Sequence, residues 1–214
     1  MTTSAAMVKA MVVKGGGAGT GGELTCAEIF ASFDPAIEFG SHEDMVGTKA
    51  GYQAEHIVPT SAFHVLGRAG AKVAGCIGYA TSQALTWMVG DGQTAGMEHK
   101  LLTDPMREFS QANDLAGKEA PLKDWLDKYK DGAKDALKQG KPPRSMCGKA
   151  KEQGKDWDSL CDAAAECIRA MAEESFAKLD PPVTPDTPLR NPWKATVEQR
   201  AAAPAPSAPS VTGV

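Results

Sequence analysis

Apolar and polar positions change their spacing repeatedly along the chain, and each change predicts an element. Residues 24–39 are moderately apolar, with Thr25 placed to cap a short helix through Ile29 and Phe30 and Asp34-Pro35 placed to end it. From Gly51 the run Tyr52-Gln53-Ala54-Glu55-His56-Ile57-Val58-Pro59 alternates loosely and turns β-branched, which predicts a short strand stopped by Pro59. A Gly-rich apolar middle follows, where residues 81–88 fit either a strand or a helix. Residues 94–113 read as a helix capped at Thr94 and interrupted or kinked at Pro105, with His99 in its N-terminal half. Beyond Pro121 the spacing is helical. Trp125, Leu126, Tyr129, Ala133 and Leu137 recur on one face, and Trp157, Leu160, Ala164, Cys167, Ile168 and Met171 do so again. Two amphipathic helices should therefore pack together across a turn at residues 140–144.

The two ends read differently from the middle. Residues 15–22, GGGAGTGG, are a flexible linker in composition and lack the G-x-x-x-x-G-K-[ST] pattern of a phosphate loop. After Asp180 the chain is Pro-rich and closes on AAAPAPSAPSVTGV, a composition unable to build a core. It is expected to be extended, with the last dozen residues mobile unless a partner holds them. The reading is an α+β protein, mainly α, in four stretches: a Gly-rich segment over residues 1–22, a principal domain over 23–115, a helical extension over 116–180 and a Pro/Ala-rich tail over 181–214.

Charge narrows the choice of partner. A net charge of −4 argues against a protein that coats nucleic acid by bulk attraction, although it leaves room for a local basic patch. Residues 118–155 carry eleven Lys or Arg against six Asp or Glu, so this helical stretch is the first candidate for contact with phosphates; a solvated surface of mixed charge is the alternative. The five cysteines include no C-x-x-C pair, which argues against a Cys-rich zinc site. Cys147, Cys161 and Cys167 are close enough in sequence for one disulfide, but buried free thiols are the favoured expectation, since the N-terminus makes a poor secretory signal. Residues 73–89 are too interrupted to span a membrane, and a soluble protein is expected.

The chemistry concentrates between Glu55 and His99. Cleaving a phosphodiester near neutral pH needs a base for water, a cation to offset charge on the phosphate and groups to hold that cation. Histidine suits the first task, and carboxylate with imidazole suits the last. Three of the four histidines, His56, His64 and His99, fall in this window, and Glu55 directly precedes His56. Adjacent strand residues diverge to opposite faces, so a twist or bulge before Pro59 would be needed for Glu55 and His56 to reach one cleft.

The string GYQAEHIVPTSAFH resembles the first half of the HNH / endonuclease VII motif, and within that superfamily the bacterial polymorphic-toxin group with a Glu-His-His-His signature. The signature would comprise Glu55, His56, His64 and His99, and the resemblance spans residues 51–109. It implies a ββα-metal finger, two short strands and a helix gripping one divalent ion (Mg²⁺, Mn²⁺ or Zn²⁺). His56 would be the general base, Glu55 a metal ligand or support to one, His99 a ligand presented from the helix, and His64 a ligand or phosphate contact. The resemblance further implies a nucleic-acid substrate, DNA before RNA, a cognate immunity protein, a secretion-apparatus component as partner and no membrane. On this reading a bacterium secretes the protein without a signal peptide, and it acts in the target-cell cytoplasm. The chain departs from the pattern in having no Asn between His64 and His99 and no second His a turn after His99.

Two rival readings remain open. One is a non-catalytic binding or adaptor module in which Glu55, His56 and His99 hold a structural zinc, although such sites are usually closed by four protein ligands. The other is a hydrolase with Ser61 or Cys76 as nucleophile, which lacks a G-x-S-x-G elbow and a carboxylate placed to orient the base. The H-E-x-x-H pattern of a zinc protease is absent.

Overall fold

The computed structural model describes residues 23–65, 68, 70–112 and 119–191. The expectations for residues 1–22, for the domain boundary near 115 and for the final dozen residues lie outside them.

The chain opens on helix α1 (Cys26–Ala31), where Thr25 accepts from the Glu28 backbone N–H while the Glu28 carboxylate reaches back to Thr25, a complete capping box. Strands β1 (Phe33–Asp34) and β2 (Phe39–Ser41) follow, then the single-turn helix α2 (His42–Met45) and strand β3 (Tyr52–His56). A long connection, with 3₁₀ turns at Thr60–Phe63 and Thr81–Gln83 among its described residues, leads to strand β4 (Leu85–Gly90) and helix α3 (Glu98–Ala112). The C-terminal half holds β5 (Glu119–Pro121), α4 (Leu122–Gln139), β6 (Ser145–Met146), α5 (Gly148–Glu152), α6 (Trp157–Ala177) and β7 (Pro188–Arg190).

The observed class is α+β. A three-stranded antiparallel sheet of order β2-β4-β3 leaves β3 at an edge, and two short pairs, β1 with β6 and β5 with β7, tie distant parts of the chain together. Helix α4 packs against α3 on one side and α6 on the other, burying the apolar stripe that begins at Trp125. Trp87 of β4 donates its indole N–H to the Tyr129 hydroxyl at 2.6 Å, joining sheet to helix in the core.

Several expectations need correction. The free-thiol reading gives way to a Cys26–Cys167 disulfide across 141 positions, between α1 and α6, with Cys76, Cys147 and Cys161 left as thiols. Residues 81–88 divide into a 3₁₀ turn and the start of β4. Helix α3 begins at Glu98, because Thr94 closes a turn onto Met97 through its carbonyl, and it continues through Pro105. The connection between α4 and α6 contains β6 and α5 in addition to a turn. Residues 181–191, expected to be extended, contain a turn closed by the Thr187 N–H on the Thr184 carbonyl and are docked: Val183 and Leu189 are buried, and β7 pairs with β5.

The Lys-rich stretch also looks different in three dimensions. Lys130, Lys134 and Lys138 of α4 face Glu166, Asp162 and Asp158 of α6, Lys123 meets Asp186, and Lys149 meets Glu28. An excess of positive charge counted along the sequence is largely offset by acids from a neighbouring element.

Candidate functional site

Strands β3 and β4 pair antiparallel, with Glu55 opposite Trp87 and His56 opposite Thr86, and α3 returns across them. Glu55 points inward at 8% exposure, and His99 lies in the first turn of α3. The two meet, with His99 Nδ1 2.8 Å from Glu55 Oε2. Gln53 joins them, its amide donating to Glu55 Oε2 at 3.2 Å and lying against His99 Nδ1. Gln53 is two positions before Glu55, so the strand puts both on one face. The hydrogen bond that His99 donates to the Glu55 carboxylate raises His99 above the usual histidine range.

What fixes this corner is a buried ion pair beside it. Glu98, fully buried, accepts from Arg144 at 2.5 and 3.0 Å and from the backbone N–H of Gly90 at 2.6 Å. Arg144 also donates to the carbonyls of Pro35, Ala36 and Met88. Every charged atom of the pair is thus satisfied, as a buried pair requires. The close approach depends on glycine at two points. A Cβ on Gly140 would stand 2.6 Å from Glu98 Cγ, and one on Gly90 would stand 2.3 Å from the Lys141 carbonyl oxygen. The start of α3, and with it His99, is therefore held to β4 and to residues 140–144.

His56 occupies the opposite face of the strand. Its ring stacks on His42 of α2, centroids 4.3 Å apart, and its Nε2 donates to the Thr81 carbonyl at 3.3 Å, which leaves Nδ1 as the acceptor. Burial pushes His56 down to about 4, against the raising effect of that hydrogen bond, so the ring is neutral at pH 7. His42 is held from below by its backbone N–H on the Ala84 carbonyl, and Gln83 bonds Glu43 next to it.

His64 sits elsewhere. Buried at 3% exposure, it bonds the Thr60 carbonyl through Nδ1 at 2.9 Å and meets Tyr79 edge-on. Burial lowers its pKa, and Lys72 and Arg190 lower it further. Of the four residues proposed from the sequence, then, the structure joins Glu55 to His99, turns His56 to the other face of the same strand and seats His64 beyond the first 3₁₀ turn. Among the described residues no group of three or more His, Cys, Asp or Glu could hold a metal ion. Ser61 and Cys76, the alternative nucleophiles, have different settings: the Ser61 carbonyl accepts from Arg190, and burial pushes the Cys76 thiol up to about 11.

Three participants were missed in the sequence: Gln53, Glu98 and His42. Strand period would have found Gln53 from Glu55. No local signal marks Glu98 or His42, because what matters about them is contributed by Arg144 and His56 from distant positions. Comparison with family models, with curated proteins and with solved structures found no match.

Proposed function

We propose that this chain is a metal-dependent phosphodiesterase that cuts nucleic acid, DNA before RNA, and that it serves as an antibacterial toxin with a cognate immunity protein. The observation that carries the reading is the meeting of Glu55 on β3 with His99 on the first turn of α3. A carboxylate and an imidazole are thereby brought together by two strands and a helix. The residues fit one kind of ion. Two protein donors cannot close a structural zinc site; a carboxylate with an imidazole would suit a hydrated Mn²⁺ that keeps waters and takes phosphate oxygens, whereas Mg²⁺ would rest on Glu55 and waters alone. When bound, the ion would supply Lewis-acid charge to the phosphate.

The chain's own groups have distinct tasks in this reading. His99 holds a proton shared with Glu55 and must release it to bind an ion, so proton and ion compete there. Neutral His56, with Nε2 engaged by Thr81, offers Nδ1 to take a proton from water. Since β3 is an edge strand, Glu55 and His56 on its two faces would both be met by a substrate lying around that edge. His64, buried against Thr60 and Tyr79, takes no part in this reading.

Digestion of plasmid DNA and of total RNA with Mg²⁺, Mn²⁺, Zn²⁺ or chelator tests the reading directly. His56→Ala is expected to lower the rate by about 10² to 10⁴ with ion affinity retained. Glu55→Ala and His99→Ala are expected to lose ion affinity, measured calorimetrically, together with activity. Wild type that cuts neither substrate with any ion removes the proposal, and metal binding without cleavage would favour the adaptor reading.

A further inference from the structure

Gln53 is the third member of the corner formed by Glu55 and His99, and its contacts there do not close as hydrogen bonds. It stands two positions from Glu55 on one face of β3, and His99 comes to both from the first turn of α3. Three side-chain atoms form a triangle. Gln53 Nε2 lies 3.2 Å from Glu55 Oε2 and against His99 Nδ1, and Nδ1 lies 2.8 Å from the same carboxylate oxygen. A proton shared between Nδ1 and the carboxylate, whichever atom carries it, leaves the amide N–H₂ without a lone pair of its own on the ring. Removing that proton gives the amide its acceptor but sets a bare nitrogen lone pair against the carboxylate. Turning the amide over, so that its oxygen takes the place of the nitrogen, satisfies a protonated His99 and opposes oxygen to oxygen at Glu55. Each arrangement of hydrogens therefore leaves one edge of the triangle in conflict. A cation among the three removes it, with amide oxygen, carboxylate oxygen and unprotonated ring nitrogen all turned toward the charge.

We infer that Gln53 is a metal ligand, giving its amide carbonyl oxygen to the same divalent ion as Glu55 and His99. The inference rests on the proposed metal-dependent reading and adds a third protein donor to that site. Adjacent donors on an octahedral ion, each roughly 2.1 Å from it, stand about 3 Å apart, which is the spacing of the two edges that meet at Glu55. Two of the three donors are oxygens, a set that suits Mn²⁺ and leaves the remaining positions for waters and phosphate oxygens. The setting admits an ion, since Glu55 is buried while Gln53 and His99 are each partly exposed. The neighbouring Glu98 carboxylate does not compete for it, being held by Arg144 and the Gly90 N–H.

The test is calorimetric titration of the full, disulfide-intact chain with MnCl₂, joined to thermal unfolding of each variant in EDTA and in Mn²⁺. Gln53→Ala is expected to weaken Mn²⁺ binding by about 10-fold or more. That loss would also follow if the amide merely braced Glu55, so Gln53→Glu decides. A carboxylate at this position can ligate but cannot donate to Glu55. Gln53→Glu is expected to bind Mn²⁺ at least as tightly as wild type. It should unfold at a lower temperature than wild type in EDTA, where two carboxylates face each other, and recover most of the difference when Mn²⁺ is added. Full affinity in Gln53→Ala, weaker binding in Gln53→Glu than in wild type, or a Gln53→Glu protein that Mn²⁺ does not stabilise would overturn the inference. The parent reading is scored separately. Wild type that binds no Mn²⁺ removes both. Binding that Glu55→Ala and His99→Ala abolish and Gln53→Ala leaves intact removes only the third ligand. Variants that behave as expected in a protein that cuts neither DNA nor RNA keep the ligand and remove the nuclease.

Discussion

The helical pair α4/α6 and the β3-β4-α3 corner bury charge in opposite styles. Between the helices, charges meet at the rim: Lys134 and Asp162 are both more than two-fifths exposed, and such pairs contribute from nothing to about 1 kcal/mol each. At the corner, Glu98 and Arg144 are withdrawn from water, and the desolvation cost is offset only because every donor and acceptor is engaged. Numerous loose pairs tune a surface, whereas one enclosed pair determines where α3 starts and hence where His99 stands. The region with the greater count of charges is the less specific of the two.

The most severe way to break the contrast is Arg144→Ala. Leaving Glu98 buried without its partner is expected to cost about 3–5 kcal/mol in urea unfolding and to lower divalent-ion affinity as the Glu55–His99 contact loosens. A loss below 1 kcal/mol would place this pair with the surface ones.

A smaller effect is expected at the imidazole stack. His42→Ala should lower the cleavage rate by roughly 10-fold, and His42→Phe, which retains an aromatic ring, should recover most of it with KM unchanged. Equal losses in the two variants would mean that the stack does not position His56.

The gentlest probe is pH, where the two faces of β3 differ in sign. The unfolded chain takes up a proton at a histidine near pH 6.5. His56, held down to about 4, thus contributes stability that is present above 6.5 and lost as pH falls toward 4. His99 is raised, so its contribution is present below 6.5 and lost as pH rises through its native pKa. NMR titration of the imidazole protons should show His56 and His99 displaced to opposite sides of the ordinary value; displacement to the same side would contradict the assigned partners.

Elements with a long period were legible in the sequence. The stripes from Trp125 to Leu137 and from Leu160 to Met171 became the buried faces of α4 and α6, Thr25 capped α1, and the strand before Pro59 formed as Tyr52–His56. Strands β1, β5, β6 and β7 were not legible, because two or three residues are too few to display alternation. The Lys-rich stretch misled because a tally along one segment cannot see the acids that α6 sets against it. At the site, Glu55 and His99, both named from the sequence, lie in hydrogen-bond contact. The separation of His56 from Glu55 followed the strand period, which the His56-Ile57-Val58-Pro59 string does not override.

The Cys26–Cys167 bond turns most of the described chain into one covalent ring that encloses β3, β4 and α3. A protease that cuts this ring once, even at the exposed Ile77, opens it without releasing either piece, and the halves remain tethered through the disulfide and the core. Nicked protein would run as a single species until a reductant is added and as two fragments afterwards. A chain built this way can lose continuity at an exposed position and still keep its parts in register.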